Sequence, residues 1–195
     1  MATVVVPFRS GGKSRLPVEL RLEVALAMLG DVLEAATAYA DRVRLVTDDG
    51  AAALVAEGLG VDVVDDPGGG QGRAVKAGLA GVDGVCLVIN ADVPQVRPSD
   101  LAALAIPPNA GAMAIVAARD GTTNALGLPF AEVFQPLYGP GSAGQFRAHA
   151  AALDLVLHDL ELPNLRDDVD QVADLERIGA RAGERTRALT TALRA

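Results

Sequence analysis

The chain has 195 residues, half of them hydrophobic, with a formal net charge of −8 and one cysteine. That length suits one domain with a real core, and a pI near 4.7 excludes general nucleic-acid binding, which needs a basic stripe along the phosphates. One cysteine excludes an intramolecular disulfide framework and every multi-cysteine zinc site. Mean hydropathy is +0.29, yet the longest apolar run, Ala110 to Ala118, is far short of the roughly 18 residues a membrane span requires. The first 20 residues hold Pro7, Gly11, Gly12 and three cations but no apolar signal core. The expectation is a soluble cytoplasmic domain with neither nucleic acid nor membrane as partner.

In chain order, Thr3 to Phe8 is a short β-branched strand followed by the glycine-containing loop Arg9 to Pro17. Leu22, Ala25, Leu26, Leu29, Leu33 and Ala36 recur at helical spacing. Val43 to Thr47 reads as a second strand ending in the turn Asp48-Asp49-Gly50, and an Ala-rich helix runs on to about Glu57, stopped by Gly58 or Gly60. Val61 to Val64 is a third strand, Pro67 to Gly70 a loop, and Gly72 to Leu79 a helix. Val85 to Ile89 is apolar on both faces, as at the centre of a parallel sheet. Beyond it, Pro98 to Ala105 reads as a helix, Ala112 to Ala117 as a strand, and Thr122 to Gly141 as loops with short strands. Ser142 to Leu153 follows as a helix, Leu155 to Leu160 as a strand and Val172 to Ala182 as a helix. The alternation predicts an α/β single domain, an open mixed sheet with helices on both faces. The C-terminal stretch Glu176 to Arg194 alternates Arg with apolar residues, which suits surface packing or a homodimer contact.

Five segments carry candidate chemistry. Arg9-Ser-Gly-Gly-Lys-Ser-Arg15 follows the first strand, where glycine amides and two cations can receive a phosphate. It is not a P-loop, because Pro7 stands where that motif needs glycine, and a solvated turn would use the same residues. Asn90-Ala-Asp-Val-Pro94 ends the central strand, and Asp92 there can hold a hard cation or simply shape a turn. Asp120 to Leu126 is a small polar patch that fits an anionic substrate or a surface turn. Tyr138-Gly-Pro-Gly-Ser142 opens a helix, with Ser142 as an anion contact or an N-cap. In Asp167-Asp-Val-Asp170 an extended backbone puts Asp168 and Asp170 on one face and Asp167 on the other. Paired carboxylates repel unless a cation lies between them, although acidic loops are common without one. Cys86 reads as a core thiol, and His149 and His158 lack partners at zinc spacing.

Taken in order, the Val-Pro strand, Gly12-Lys-Ser-Arg-Leu16, Asn90-Ala-Asp-Val-Pro94, Gly121 to Leu126, Tyr138-Gly-Pro-Gly-Ser142 and Asp168-Val-Asp170 resemble the phospholactate guanylyltransferase family of coenzyme F-420 biosynthesis. The resemblance runs from Val5 to about Leu175. It implies a glycosyltransferase-A-like nucleotidyltransferase fold and transfer of GMP from GTP to a small phosphorylated carboxylate, with release of diphosphate. Phosphoenolpyruvate, 2-phospho-L-lactate and 3-phospho-D-glycerate are the acceptors it implies. Lys13 and Arg15 then look like the triphosphate cations, with Gly11, Gly12 and Gly72 beside the nucleotide. Asp92, Asp168 and Asp170 look like ligands of Mg²⁺, and Thr123, Gly139 and Ser142 like the acceptor cradle. Two stretches depart from the family pattern. Gly70-Gln-Gly-Arg-Ala74 stands in place of Leu-Asn-x-Ala, and Phe146 in place of a histidine four residues after Ser142. A sugar-transferring enzyme of the same fold and a non-catalytic nucleotide-binding module remain the other two readings of the same motifs.

Overall fold

A computed structural model of the chain describes residues 2–10 and 18–192. Its first half runs β1 (Thr3–Pro7), α1 (Val18–Tyr39), β2 (Arg42–Thr47), α2 (Gly50–Glu57), β3 (Asp62–Asp65), α3 (Gln71–Gly78) and β4 (Cys86–Ile89). The second half runs α4 (Pro98–Leu104), α5 (Ile106–Asn109), β5 (Met113–Ala117), β6 (Thr123–Leu128), α6 (Ser142–Ala152), β7 (Leu157–Asp159), α7 (Pro163–Arg166), α8 (Val172–Ile178) and α9 (Glu184–Ala192). Among the described residues the strands form one sheet in the order β3-β2-β1-β4-β6-β5-β7. Strands β1 to β4 are mutually parallel, while β6 runs antiparallel to both β4 and β5. The chain leaves β1 for β2 and β3 on one side and returns to β4 on the other, so β1 and β4 flank the switch point where such sheets open a crevice.

The strands of the middle of the sheet alternate between two cores, because successive side chains point to opposite faces. Val4, Val6, Leu87 and Ile89 pack with Leu29 and Leu33 of α1 and with Leu101 of α4. Val5, Cys86 and Val88 pack on the other face with Val75 of α3 and Phe146 of α6. The central strand β4 is fully buried, as its apolar run predicts. Burial pushes the Cys86 thiol up to about 11, so it is a protonated core group and no nucleophile. A third, smaller cluster joins Val24 and Met28 of α1 to Val169, Leu175 and Ile178.

Local chemistry starts and stops the helices. Asp49 caps α2 by accepting from the Ala51 and Ala52 amides at 2.9 and 3.0 Å. The Ser10 hydroxyl and those amides hold its carboxyl below the usual range. Arg44 of β2 closes the far end of α3, donating to the carbonyls of Gly78 and Ala80 at 2.9 and 2.8 Å. Helix α9 receives its cap from another helix: buried Asp31 of α1 accepts from the Arg185 and Thr186 amides at 2.9 and 3.0 Å. The C-terminal stretch is therefore packed on α1 within the molecule.

Two segments differ from expectation. The loops expected over Thr122 to Gly141 contain β6, a six-residue strand buried throughout and hydrogen-bonded between β4 and β5. Gly127 disguises it in the sequence and is needed for packing, since a Cβ there would lie 2.8 Å from the Leu104 carbonyl and 2.7 Å from Pro108. The helix expected over Val172 to Ala182 stops at Ile178, where Gly179 turns the chain at a φ of 48°.

Helix α3 lies close against the sheet because Gly78 has no side chain. A Cβ there would stand 2.5 Å from Val5 and 2.6 Å from Val46. Gly78→Ala should therefore cost about 1–3 kcal/mol by overpacking, although alanine favours helix more than glycine does. Urea unfolding of the variant measures it, and an unchanged midpoint would contradict this packing.

Candidate active site

A cleft of about 220 Å³ opens at the carboxyl ends of β1 and β4, at the switch point of the sheet. Its lining includes Arg9, Asp66, Gln71, Asn90, Asp92 and Asp170. Arg9, just past β1, makes a two-pronged ion pair with Asp66, just past β3, at 2.6 and 2.9 Å. Asp66 also accepts from the Gly68 amide at 2.9 Å. The Arg9 guanidinium, more than the turn amide, holds the Asp66 carboxyl below the usual range. Gln71 begins α3 and donates to Asn90 Oδ1 at 2.6 Å. Asn90 in turn donates to the Thr123 carbonyl and to Asn124 Oδ1 of β6.

Asp92, Asp168 and Asp170 come together beside this cleft. Each offers a carboxylate oxygen, and the three oxygens lie within 4.8 Å of one another. They belong to distant stretches of chain, so the structure must hold residues 167–170 in place. The Val169 amide donates to the Asp92 carbonyl at 2.9 Å, and Gln95 donates to the Asp167 carbonyl. The segment alternates as an extended chain should: Asp167 and Val169 are buried, Asp168 and Asp170 half-buried. Asp174 finishes the loop by accepting from the Asp170 and Gln171 amides at 3.0 and 3.1 Å.

Asp167 anchors the segment. Its carboxylate meets Arg119 at 2.8 Å, Arg177 at 3.0 Å and Arg181 at 3.4 Å. Burial pushes the Asp167 carboxyl up, but these arginines together outweigh that and hold it below the usual range. Arg177 also donates to the Asp168 carbonyl at 3.2 Å and to Asp174 at 3.0 Å, tying both ends of the loop to α8.

Three carboxylate oxygens with neither nitrogen nor sulfur among them form a donor set for a hard cation such as Mg²⁺ or Ca²⁺. Packed this closely they repel one another, and a divalent cation would relieve that repulsion. Asp92, Asp168 and Asp170 thus fit a metal by their chemistry and their approach.

The remaining candidates are placed differently. Ser142 donates to Thr123 Oγ1 at 3.0 Å, and both side chains are buried. They meet each other and pin α6 to β6, and neither is among the residues lining the cleft. Ser142 is the first residue of α6; the N-cap is Gly141, at a φ of 69° that favours glycine. Gly139, at a φ of 132°, accepts the Ser142 amide at 3.0 Å. Gly72 lies in the first turn of α3 packed on Pro136, where a Cβ would come within 2.7 Å of the proline ring. Gly11, Gly12, Lys13 and Arg15 lie outside the described residues. Phe146 is fully buried in the core, and His149 binds the Val133 carbonyl at 2.8 Å. Arg9, Asp66, Gln71 and Asp167 carry roles that spacing alone did not single out, because each depends on a distant partner.

Asp167→Asn would keep the shape of the anchor and remove its charge. A carboxyl depressed in the folded protein stabilises it above the ordinary carboxylate range near pH 4. That contribution is lost as pH falls through the lower folded value. The variant should therefore be less stable than the parent at neutral pH, with the gap closing in acid. Urea unfolding at pH 7 and below pH 3 reads this directly, and a gap independent of pH would refute the anchor.

Comparison with known proteins matches residues 9–159 to the family model of the MobA-like NTP transferase domain. A phosphoenolpyruvate guanylyltransferase of Nocardia farcinica is 38% identical, covering 96% of this chain and 89% of that protein. A phosphoenolpyruvate guanylyltransferase of Rhodococcus erythropolis is 34% identical, covering all of this chain and 96% of that one. Among solved structures, a nucleotidyl transferase from Methanothermobacter thermautotroptrophicus superposes with a TM-score of 0.72 at 20% identity, over 98% of this chain and 99% of that chain. Similarity this extensive, running through the cleft and the sheet that carries it, makes the chain a member of the MobA-like NTP transferase domain family, alongside curated relatives named phosphoenolpyruvate guanylyltransferase.

Proposed function

We propose that residues 1–195 act as one guanylyltransferase domain that moves GMP from GTP to phosphoenolpyruvate and releases diphosphate, in coenzyme F-420 biosynthesis as the family resemblance implies. The convergence of Asp92, Asp168 and Asp170 beside the switch-point cleft carries this reading. The names of the curated relatives supply the base and the acceptor.

The acceptor phosphate is already ionised at neutral pH, so one of its oxygens serves as nucleophile without activation by a protein group. That oxygen bonds to the α-phosphorus of GTP as the bond to the diphosphate oxygen breaks in line. No covalent intermediate on the protein is needed, in keeping with the protonated, buried state of Cys86. The protein's task is to hold two anions at the required distance and angle. Asp92, Asp168 and Asp170 would hold Mg²⁺, which supplies positive charge for the developing diphosphate when bound. Lys13 and Arg15 are assigned to the triphosphate by resemblance, with Gly11, Gly12 and Gly72 beside the nucleotide. The acceptor is assigned to the region of Thr123, Gly139 and Ser142. With both side chains buried and the Ser142 hydroxyl donated to Thr123, Thr123 and Ser142 would act by shaping the backbone around Gly139 and Gly141.

Two measurements test this. Diphosphate release from GTP should require a phospho-acid and be fastest with phosphoenolpyruvate, ahead of 2-phospho-L-lactate and 3-phospho-D-glycerate; release with none of the three would overturn the assignment. Asp92→Asn and Asp168→Asn should each lower turnover by at least about a hundredfold, the scale of losing a preorganised electrostatic contact, with circular dichroism unchanged. Near-normal rates in saturating Mg²⁺ would remove the metal from the scheme.

A further inference from the structure

Three carboxamides form a line from the cleft into the sheet: Gln71 at the start of α3, Asn90 past β4 and Asn124 in β6. Backbone carbonyls decide which way each of the two asparagines points. Asn124 Nδ2 meets the Arg166 carbonyl at 3.1 Å, and Asn90 Nδ2 meets the Thr123 carbonyl at 3.2 Å. A carbonyl only accepts, so the nitrogen of each amide must stand where it does. Asn124 Oδ1 then accepts from Asn90 Nδ2 at 3.3 Å, and Asn90 Oδ1 is left to accept from Gln71 Nε2 at 2.6 Å. Turning either asparagine over would set two like groups face to face.

Gln71 is thereby oriented from a distance. One of its two Nε2 hydrogens is committed to Asn90, which fixes the amide and turns the opposite group, Oε1, outward as an acceptor to which no described residue donates. Asp66, a second acceptor in the lining, already takes both prongs of Arg9 and the Gly68 amide. Asp92 and Asp170 belong to the acidic group that the phosphates would approach, which leaves the α3 end of the cleft for the base.

We infer that Gln71 determines base choice: its Oε1 accepts from the N1–H and 2-amino edge of guanine, and the relay through Asn90 and Asn124 keeps that oxygen facing the ligand. Guanine presents two adjacent donors on this edge. Adenine presents a lone pair at N1 and no 2-amino group, so an acceptor held there meets an acceptor. The inference rests on the guanylyl transfer proposed above and identifies the residue that selects its nucleotide.

The experiment compares kcat/KM for GTP and ATP, each with phosphoenolpyruvate, in the parent chain and in Gln71→Leu and Gln71→Ala. The ratio of GTP to ATP should fall about tenfold or more in both variants, the scale of one hydrogen bond left unmade in a binding site. The loss should appear mainly in KM for GTP, with KM for phosphoenolpyruvate and the melting temperature unchanged. An unchanged ratio, or equal losses with both nucleotides, would overturn the assignment of Gln71 while leaving guanylyl transfer intact. A parent chain that releases no diphosphate from GTP with any phospho-acid would overturn both.

Discussion

Burying a carboxylate is costly unless cations meet it, and Asp167 meets three arginines from two separate parts of the chain. That cluster fixes the backbone of residues 167–170 against the turn after β4, where the Val169 amide finds the Asp92 carbonyl. With Asp167 and Val169 turned inward, the pleat leaves Asp168 and Asp170 nowhere to point but toward Asp92. The acidity of the whole chain, a net charge of −8, is thus no guide to the field at the cleft. One of its carboxylates is neutralised by arginines, one is paired with Arg9, and three form a group suited to a cation.

Much of the fold was legible because its first half obeys two simple periods. The strands β1, β2 and β4 and the helices α1, α2 and α3 stand within a few residues of where alternation and helical spacing put them. Strand β6 was hidden because Thr123, Asn124 and Gly127 break its apolar run. Its polar side chains meet partners far along the chain, Asn90, Ser142 and the Arg166 carbonyl. The short helices α5 and α7 begin at or beside prolines and are one turn long, too short to show a helical period. At the site, the spacing of Asp168 and Asp170 was readable, since an extended segment has a period of two. The Arg9–Asp66 pair spans 57 residues and the Gln71–Asn90 bond spans 19. No local pattern announces such contacts.

The reversed direction of β6 matters for how the cleft is furnished. In an all-parallel sheet, ligand-facing residues follow their strands. Here the amino end of β6 lies beside the carboxyl end of β4, so Asn124 stands next to Asn90 and Thr123 close by. The match to the MobA-like domain ends at residue 159. Two of the three clustered aspartates therefore come from chain beyond that matched span.

The same C-terminal chain is moored at a second point, and the two moorings answer acid in opposite senses. Burial outweighs the hydrogen bonds that Asp31 receives and raises its carboxyl above the usual range. Its contribution is therefore fullest below the ordinary carboxylate value and is lost as pH rises through the folded one. Asp167, depressed by its arginines, behaves the other way. Burial, and not the amides of α9 that it accepts, is what draws Asp31 toward its proton, whereas Asp167 must shed its proton to meet its arginines. The two carboxylates thus lie on opposite sides of the ordinary value, and the stability each lends the C-terminal chain runs in opposite directions with pH.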